Sequence, residues 1–389
     1  MANAQFVPRF VPRYVRSIDA LAALSKDEKK SLKEVCNFHA FRSNDYYLGL
    51  INWSDPNDPI RRIAVPQPGE LHPFGHIDAS KEATNYVAPG VQHKYPHTAL
   101  VLCTQTCATH CRFCFRKRLF QDDNDETGVN LSEAIAYIKR TPRITNVLLT
   151  GGDPLTLSTR RIRSLLKQLR RIPHVGIIRI GTKMPAFNPY RILNDRELLD
   201  TISIYSQLEK RIYVIAHFNH PREITPVAAE AIDRLMRAGA ILANQTPLLR
   251  GVNDKPDVLA ELMRKLSYMG VPPYYVFQCR PTKGNYPFEL TITEAYRIFE
   301  RAKKKVSGLA KRPRLVMSHA SGKIEIVGVT HKHIYLRYHR ARQHEDEGRF
   351  MIFHRDDTAY WFDDLVPAEK APHHLRMLDH MQPQVFGPE

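Results

Sequence analysis

Three of the six cysteines stand within eight residues, in Cys107-Ala108-Thr109-His110-Cys111-Arg112-Phe113-Cys114, at the spacing C-x3-C-x2-C. The loop follows the apolar run Ala99-Leu100-Val101-Leu102. Structural zinc sites bring paired C-x2-C knuckles completed by two more Cys or His ligands, and ferredoxin-type runs use C-x2-C-x2-C. This loop has neither pattern. Three thiolates on one loop can hold three irons of a four-iron cluster and leave the fourth iron open to a ligand that is not protein, which implies chemistry as well as electron storage. Two other readings stay open: a disulfide with a spare thiol, and a zinc site completed by His110. Disulfide frameworks belong to short secreted chains, and this one has 389 residues.

That length suits one large core with appendages, such as a TIM-like barrel with additions. A hydrophobic share of 43% is ordinary for a globular protein, and no apolar stretch reaches the ~20 residues that span a bilayer. The start, Met1-Ala-Asn-Ala-Gln-Phe-Val-Pro-Arg, lacks the uninterrupted apolar run of a secretory signal. A soluble cytoplasmic protein with no membrane partner is expected, in a compartment where thiols stay reduced. The net charge of +17, from 57 basic and 40 acidic residues, favours anionic partners. Its carriers, among them Arg160-Arg161, Arg170-Arg171, Lys303-Lys304-Lys305 and Lys311-Arg312, fall mostly on expected helix faces, where they read as solvated surface. No RRM, KH or helix-turn-helix signature accompanies them, so nucleic acid is not the expected partner.

Residues 1–92 read as an N-terminal helical segment. Ser25 is its candidate cap, with Glu28 three residues later, and composition assigns the segment no catalytic group. From 93 to 310, strands alternate with helices, which argues for βα units on a parallel sheet. Six strands are expected, at 99–103, 146–149, 176–180, 212–217, 241–246 and 274–278, separated by stretches with apolar residues three and four apart. The fold class is therefore α/β, a partial (β/α)6 TIM-like barrel. Residues 311–389 read as a small strand-rich extension. Catalytic groups of such barrels sit at the C-terminal ends of strands, and each distinctive motif falls there. The cysteine loop follows the first strand, Gly151-Gly152-Asp153-Pro154 the second, His217-Phe218-Asn219-His220-Pro221 the fourth, and Gln278-Cys279-Arg280 the sixth. His217 and His220 have a spacing that could suggest a metal; beside prolines they read as structural or site-lining. The bland reading of Lys323 is a surface lysine opening a strand.

The Cys111-Arg-Phe-Cys-Phe-Arg116 block resembles the cluster loop of radical S-adenosylmethionine (SAM) enzymes, and of the lysine 2,3-aminomutase family in particular. The likeness extends through Thr150-Gly-Gly-Asp153, Ile178-Arg-Ile-Gly-Thr182, His217–Thr225, Leu248–Asp254 and Tyr274–Cys279. It implies a [4Fe-4S] cluster on Cys107, Cys111 and Cys114, with Gly151, Gly152 and Asp153 holding the amino-acid end of SAM and Phe113 near its adenine. SAM is then cleaved to a 5′-deoxyadenosyl radical that takes hydrogen from an amino acid held on pyridoxal 5′-phosphate (PLP), and the amino group moves between C2 and C3. By the same resemblance Arg116 grips the substrate carboxylate, Tyr95 and Gln245 surround PLP, and Lys323 anchors it. An electron donor such as flavodoxin or ferredoxin is implied, and a homo-oligomer is compatible.

Where the family's lysine enzymes carry a glycine run before the anchoring lysine, only Gly322 remains. Two arginines that hold the PLP phosphate appear as Lys94 and Thr98. An aspartate that pairs with the lysine side chain appears as Arg280, and the second such aspartate falls near Met317 or Ser318. Exchanging an anion for a cation reverses the preference of the pocket. The expected substrate is thus a small amino acid other than lysine, with an anionic or acceptor-bearing side chain. The alternatives are a PLP-independent radical SAM enzyme acting on an anionic substrate, and a basic nucleic-acid-associated protein with a vestigial site.

Overall fold

The computed structural model describes residues 10–121, 126–127 and 131–368. Twelve strands form one sheet in strict chain order. They are β1 (Tyr86–Ala88), β2 (Val91–Tyr95), β3 (Thr98–Thr104), β4 (Asn146–Gly151), β5 (Ile177–Thr182), β6 (Ile212–Ala216), β7 (Ile241–Leu248), β8 (Pro273–Gln278), β9 (Arg314–His319), β10 (Gly322–Val329), β11 (His333–Ala341) and β12 (Phe350–His354). Pairing is parallel from β3 through β9 and antiparallel at both flanks. All six expected strands are present. Arg314–His319, expected within the strand-rich extension, adds a seventh parallel strand beside β8.

Helices cover one face of the parallel region. They are α1 (Lys26–Phe38), α2 (Ser132–Lys139), α3 (Thr159–Arg170), α4 (Arg196–Tyr205), α5 (Pro226–Arg237), α6 (Pro256–Tyr268) and α7 (Ile292–Lys303), with α1 lying in the N-terminal segment. In α3, Ser158 caps the first turn while Ile162, Leu165, Leu166 and Leu169 are buried. Four buried aliphatics at roughly 1.5–3 kcal/mol each outweigh a cap of about 1 kcal/mol, so packing sets where this helix lies. The stripe meets Val147, Leu149, Ile178, Ile180, Ile212 and Val214 in one core, which also takes in Ile18 through Val65 of the N-terminal segment. A second core joins α6 and α7 to β8–β12.

The alternate residues of the same strands face inward. Leu148, Arg179, Tyr213, Ala243, Gln245 and Phe277 keep part of their surface accessible while their helix-facing neighbours are buried. The sheet curls around this inner face. Lys94 on β2 donates a hydrogen bond to the His319 carbonyl ending β9, Arg340 on β11 donates to Thr98 at the start of β3 (3.4 Å), and Ser80 donates to the Ser318 carbonyl (2.7 Å). These contacts bring the two flanks together, but the ladder is open: β1 and β12 are its ends.

Candidate functional site

The cysteine loop leaves the C-terminal end of β3 and is fixed by the N-terminal segment. His110 N–H donates to the Arg42 carbonyl (2.9 Å), Arg112 N–H to the Ile63 carbonyl (2.9 Å), and the Arg42 guanidinium to the Cys107 carbonyl (2.8 Å). Arg112 is fully buried, with its fork on Glu70 at 2.8–3.2 Å and two bonds to the His39 carbonyl at 3.0 Å. Cys107, Cys111 and Cys114 are free thiols. Burial pushes all three pKa values up; for Cys107 the charges of Asp153 and of the other two thiols add to it, while Lys183 opposes the shift at Cys111 and the Arg116 N–H, on Cys114 Sγ at 3.4 Å, opposes it at Cys114. No group of three or more His, Cys, Asp or Glu among the described residues is arranged to hold a single metal ion. His110 is committed elsewhere: its Nδ1 is 2.9 Å from the Ala40 carbonyl, and its ring stacks on Phe120 with centroids 4.3 Å apart. Three free thiols on one loop, with cations around them, fit a cluster that would bind one thiolate at each of three irons and whose positive charge would deprotonate them.

The Gly-Gly-Asp turn at the end of β4 packs on the root of that loop. Gly151 has φ +113°, and a Cβ there would lie 2.4 Å from the Thr104 carbonyl; one on Gly152 would lie 2.4 Å from that of Thr106. The turn also donates Gly152 N–H to Thr104 (2.6 Å) and Asp153 N–H to Thr106 (2.8 Å). Asp153, buried, accepts from Leu155 N–H, Thr182 Oγ1 and Lys183 N–H at 2.7–3.0 Å. The glycines are required for contact between two strand ends, and the carboxylate ties β4 to β5. Phe113 lies edge-on to His217 and Phe288, with centroids 6.0 and 5.9 Å away.

Beside the loop sits a buried carboxylate that composition did not single out. Glu82 accepts from Arg116 (3.0 and 3.2 Å), Arg118 (2.9 Å) and Arg280 (3.4 Å). Burial alone would raise its pKa; Arg116, Arg280 and Arg118 outweigh it and hold the carboxyl well below the ordinary range. Lys81, just before it, is the one non-glycine among the described residues in the left-handed region, at φ 49°. Arg116 also donates to Thr150 (3.0 Å). Arg280 is largely covered, its guanidinium carbon 3.7 Å from the Phe115 ring centroid, and the acidic neighbour it meets is Glu82.

Lys323 is likewise no surface residue. Its Nζ lies 4.1 Å from the Tyr275 ring centroid and 4.9 Å from that of Phe277. Burial, then the charges of Arg179, Arg340, Arg280 and Lys94, hold its pKa well below that of an ordinary lysine. A neutral amine is the state that reacts with carbonyls. Lys94 is pushed down to about 7 by burial and Arg280. Tyr95 lies under Arg340 at 4.1 Å, and Gln245 pairs with Tyr275 across β7 and β8.

Residues 101–263 match the model of the radical SAM superfamily. A protein of Aquifex aeolicus named "Putative L-lysine 2,3-aminomutase" is 49% identical over 91% of this chain and 95% of its own length. The chain belongs to the lysine 2,3-aminomutase family. L-lysine 2,3-aminomutase of Clostridium subterminale is 36% identical over 76% of this chain and 70% of its own length. Glutamate 2,3-aminomutase of Clostridioides difficile is 34% identical over 76% and 69%. As a radical SAM member of an aminomutase family, the chain is an isomerase-type enzyme that uses a [4Fe-4S] cluster and SAM.

Seen as an aminomutase-family site, the residues divide into an upper and a lower group. Near the cysteine loop are Arg116 and Arg280, joined through Glu82; deeper on the inner face are Lys323, Tyr275 and Arg340. Met317 is fully buried in the second core and Ser318 offers its carbonyl to Ser80. His220 caps its own turn, accepting from Arg222 N–H at 3.1 Å, a structural role. Cys279 is buried beside Asn285, and burial raises its thiol to about 11. Glu70, Glu82, Arg179 and Arg340 escaped sequence reasoning. For the two carboxylates the signal was available: a loop with Arg112, Arg116, Lys117 and Arg118 in seven residues needs buried anions if it is packed inside.

Proposed function

We propose that this enzyme moves an amino group between C2 and C3 of an amino acid whose side chain ends in a carboxylate or a similar acceptor, with PLP held on Lys323. One observation carries this reading: Arg280 lies beside Arg116, and these two guanidiniums share one carboxylate, Glu82, while Arg118 has Glu126 as well. A lysine ammonium brought there would meet net positive charge, a mismatch costing several kcal/mol. An acidic side chain would meet open donors instead, because Arg280 spends only Nη1, on Glu82.

When bound, the cluster and SAM supply a carbon radical that takes hydrogen from the substrate, and PLP carries the amino group. The chain's own residues do the rest. Arg116, braced by Glu82 and Thr150, presents a planar fork to the substrate's α-carboxylate. Arg280, held flat on Phe115, takes the side-chain acceptor. Gly151, Gly152 and Asp153 shape the SAM side next to Phe113, and Lys323 stays uncharged for attachment. In this reading the parallel strands work as a partial barrel, the described residues of the N-terminal segment brace the cysteine loop, and those of the strand-rich extension supply the flank bearing Lys323. A flavodoxin- or ferredoxin-type donor in the cytoplasm provides the electron.

Arg280→Asp tests the assignment. The wild-type enzyme should turn over glutamate or aspartate and not lysine, and the variant should lose that activity by about a hundredfold or more while gaining lysine turnover. Preferential turnover of lysine by the wild-type enzyme would overturn the reading.

A further inference from the structure

The inner face carries more positive charge than its own carboxylates balance. Lys323 on β10 and Arg340 on β11 stand directly opposite each other in the antiparallel ladder, an arrangement that destabilises a sheet when both residues are cationic. Arg179 on β5 and Lys94 on β2 add two more cations within electrostatic reach of Lys323. Among the described residues none of these four has a carboxylate at ion-pairing distance, whereas Arg116, Arg118 and Arg280 all meet Glu82. An enclosed cluster of this kind is stabilised by a bound anion.

Two of the four cations are anchored side by side at the start of the parallel strands. Arg340 donates to Thr98 Oγ1 (3.4 Å) and Arg179 donates to Asn146 Oδ1 (2.8 Å). Thr98 and Asn146 are partners in the β3–β4 ladder. Arg340 therefore brings its guanidinium, from a strand far along the chain, to the position where Thr98 itself offers no charge. Its ring contact with Tyr95 fixes the plane of the fork, and Lys323 lies one cross-strand position away.

Resting on the reading that PLP is held on Lys323, the geometry points to Arg340, seconded by Arg179, as the grip on the phosphate of that cofactor, with the charge missing at Thr98 supplied from β11. A guanidinium fork suits a phosphate dianion, and each such contact is charge-assisted. The strand-rich extension is then part of the cofactor site.

The test compares PLP with pyridoxal, which has the aldehyde but no phosphate. Both are titrated by absorbance into the full-length wild-type protein and Arg340→Ala, and bound cofactor is trapped with borohydride for peptide mapping. Arg340→Ala should weaken PLP about tenfold or more and pyridoxal less than about threefold, and inorganic phosphate should compete with PLP in the wild-type protein only. The exchanged double variant Thr98→Arg/Arg340→Thr should recover most of the PLP affinity, which guards against a mere folding defect. Equal losses for PLP and pyridoxal, or no loss, overturn the role of Arg340 while leaving PLP in place. A wild-type protein that binds PLP without an adduct on Lys323, or does not bind it, overturns the underlying reading and this inference with it.

Discussion

The cysteine loop and the inner face of the sheet are both crowded with cations, yet they treat them in opposite ways. Around the loop four guanidiniums have a carboxylate: Arg112 has Glu70, Arg116 and Arg280 share Glu82, and Arg118 has Glu82 and Glu126. On the inner face, Lys94, Arg179, Lys323 and Arg340 have none among the described residues. Paired buried charge holds a shape, because breaking one partner strands the other. Unpaired enclosed charge instead depresses lysine pKa values and favours whatever anion enters. The difference separates groups beside the loop that already have a carboxylate, Arg116 and Arg280 among them, from a surface that has none.

The contrast can be broken most severely at the loop's thiols. Replacing Cys107, Cys111 and Cys114 by Ala should leave the reconstituted protein without cluster iron or sulfide and abolish SAM cleavage; iron, sulfide and cleavage retained at wild-type levels would remove the loop from the chemistry. Next in size is Glu70→Ala, which strands a fully buried Arg112 and should cost about 3–5 kcal/mol in denaturant unfolding. A loss under about 1 kcal/mol would mean that this pairing does not hold the loop.

A smaller and opposite effect is expected on the inner face. Glu82 has a lowered pKa, so its contribution to stability is present above the ordinary carboxylate value and fades only as pH falls toward its folded value. Lys94, at about 7 when folded against an ordinary 10.5, behaves differently. Between those values the unfolded chain binds the extra proton, so unliganded stability should rise with pH from about 7 to 10.5. Lys323 acts in the same direction. Accordingly Lys323→Met should stabilise the unliganded protein at neutral pH by on the order of 1 kcal/mol and flatten that slope. A destabilised variant with an unchanged slope would contradict the idea of uncompensated charge.

Much of this was legible from local pattern. The cysteine spacing, the six parallel strands, the Ser25–Glu28 capping box and the placing of motifs at strand ends all depend on residues close in sequence. What stayed hidden depends on long-range closure. Glu82 sits in an ordinary polar stretch and is marked only by three arginines that come from 34, 36 and 198 residues away. Arg340 lies 242 residues from Thr98, in a strand whose alternation gives no hint of which face turns inward. The seventh parallel strand reads as a short apolar run, and such a run looks the same in either direction of pairing. Asp153 was expected to face a ligand's ammonium; its visible partners are Leu155, Thr182 and Lys183, because the turn must first join two strand ends.

The central claim, that Arg116 and Arg280, two guanidiniums sharing one carboxylate, select an acidic amino acid for radical amino-group migration, is tested most directly by tracing hydrogen. The reduced, reconstituted enzyme is given SAM, PLP and either glutamate or lysine deuterated at C3, and 5′-deoxyadenosine is examined by mass spectrometry. Deuterium carried into 5′-deoxyadenosine from glutamate, together with the β-amino isomer, is the predicted result. Deuterium carried from lysine and not from glutamate would contradict it.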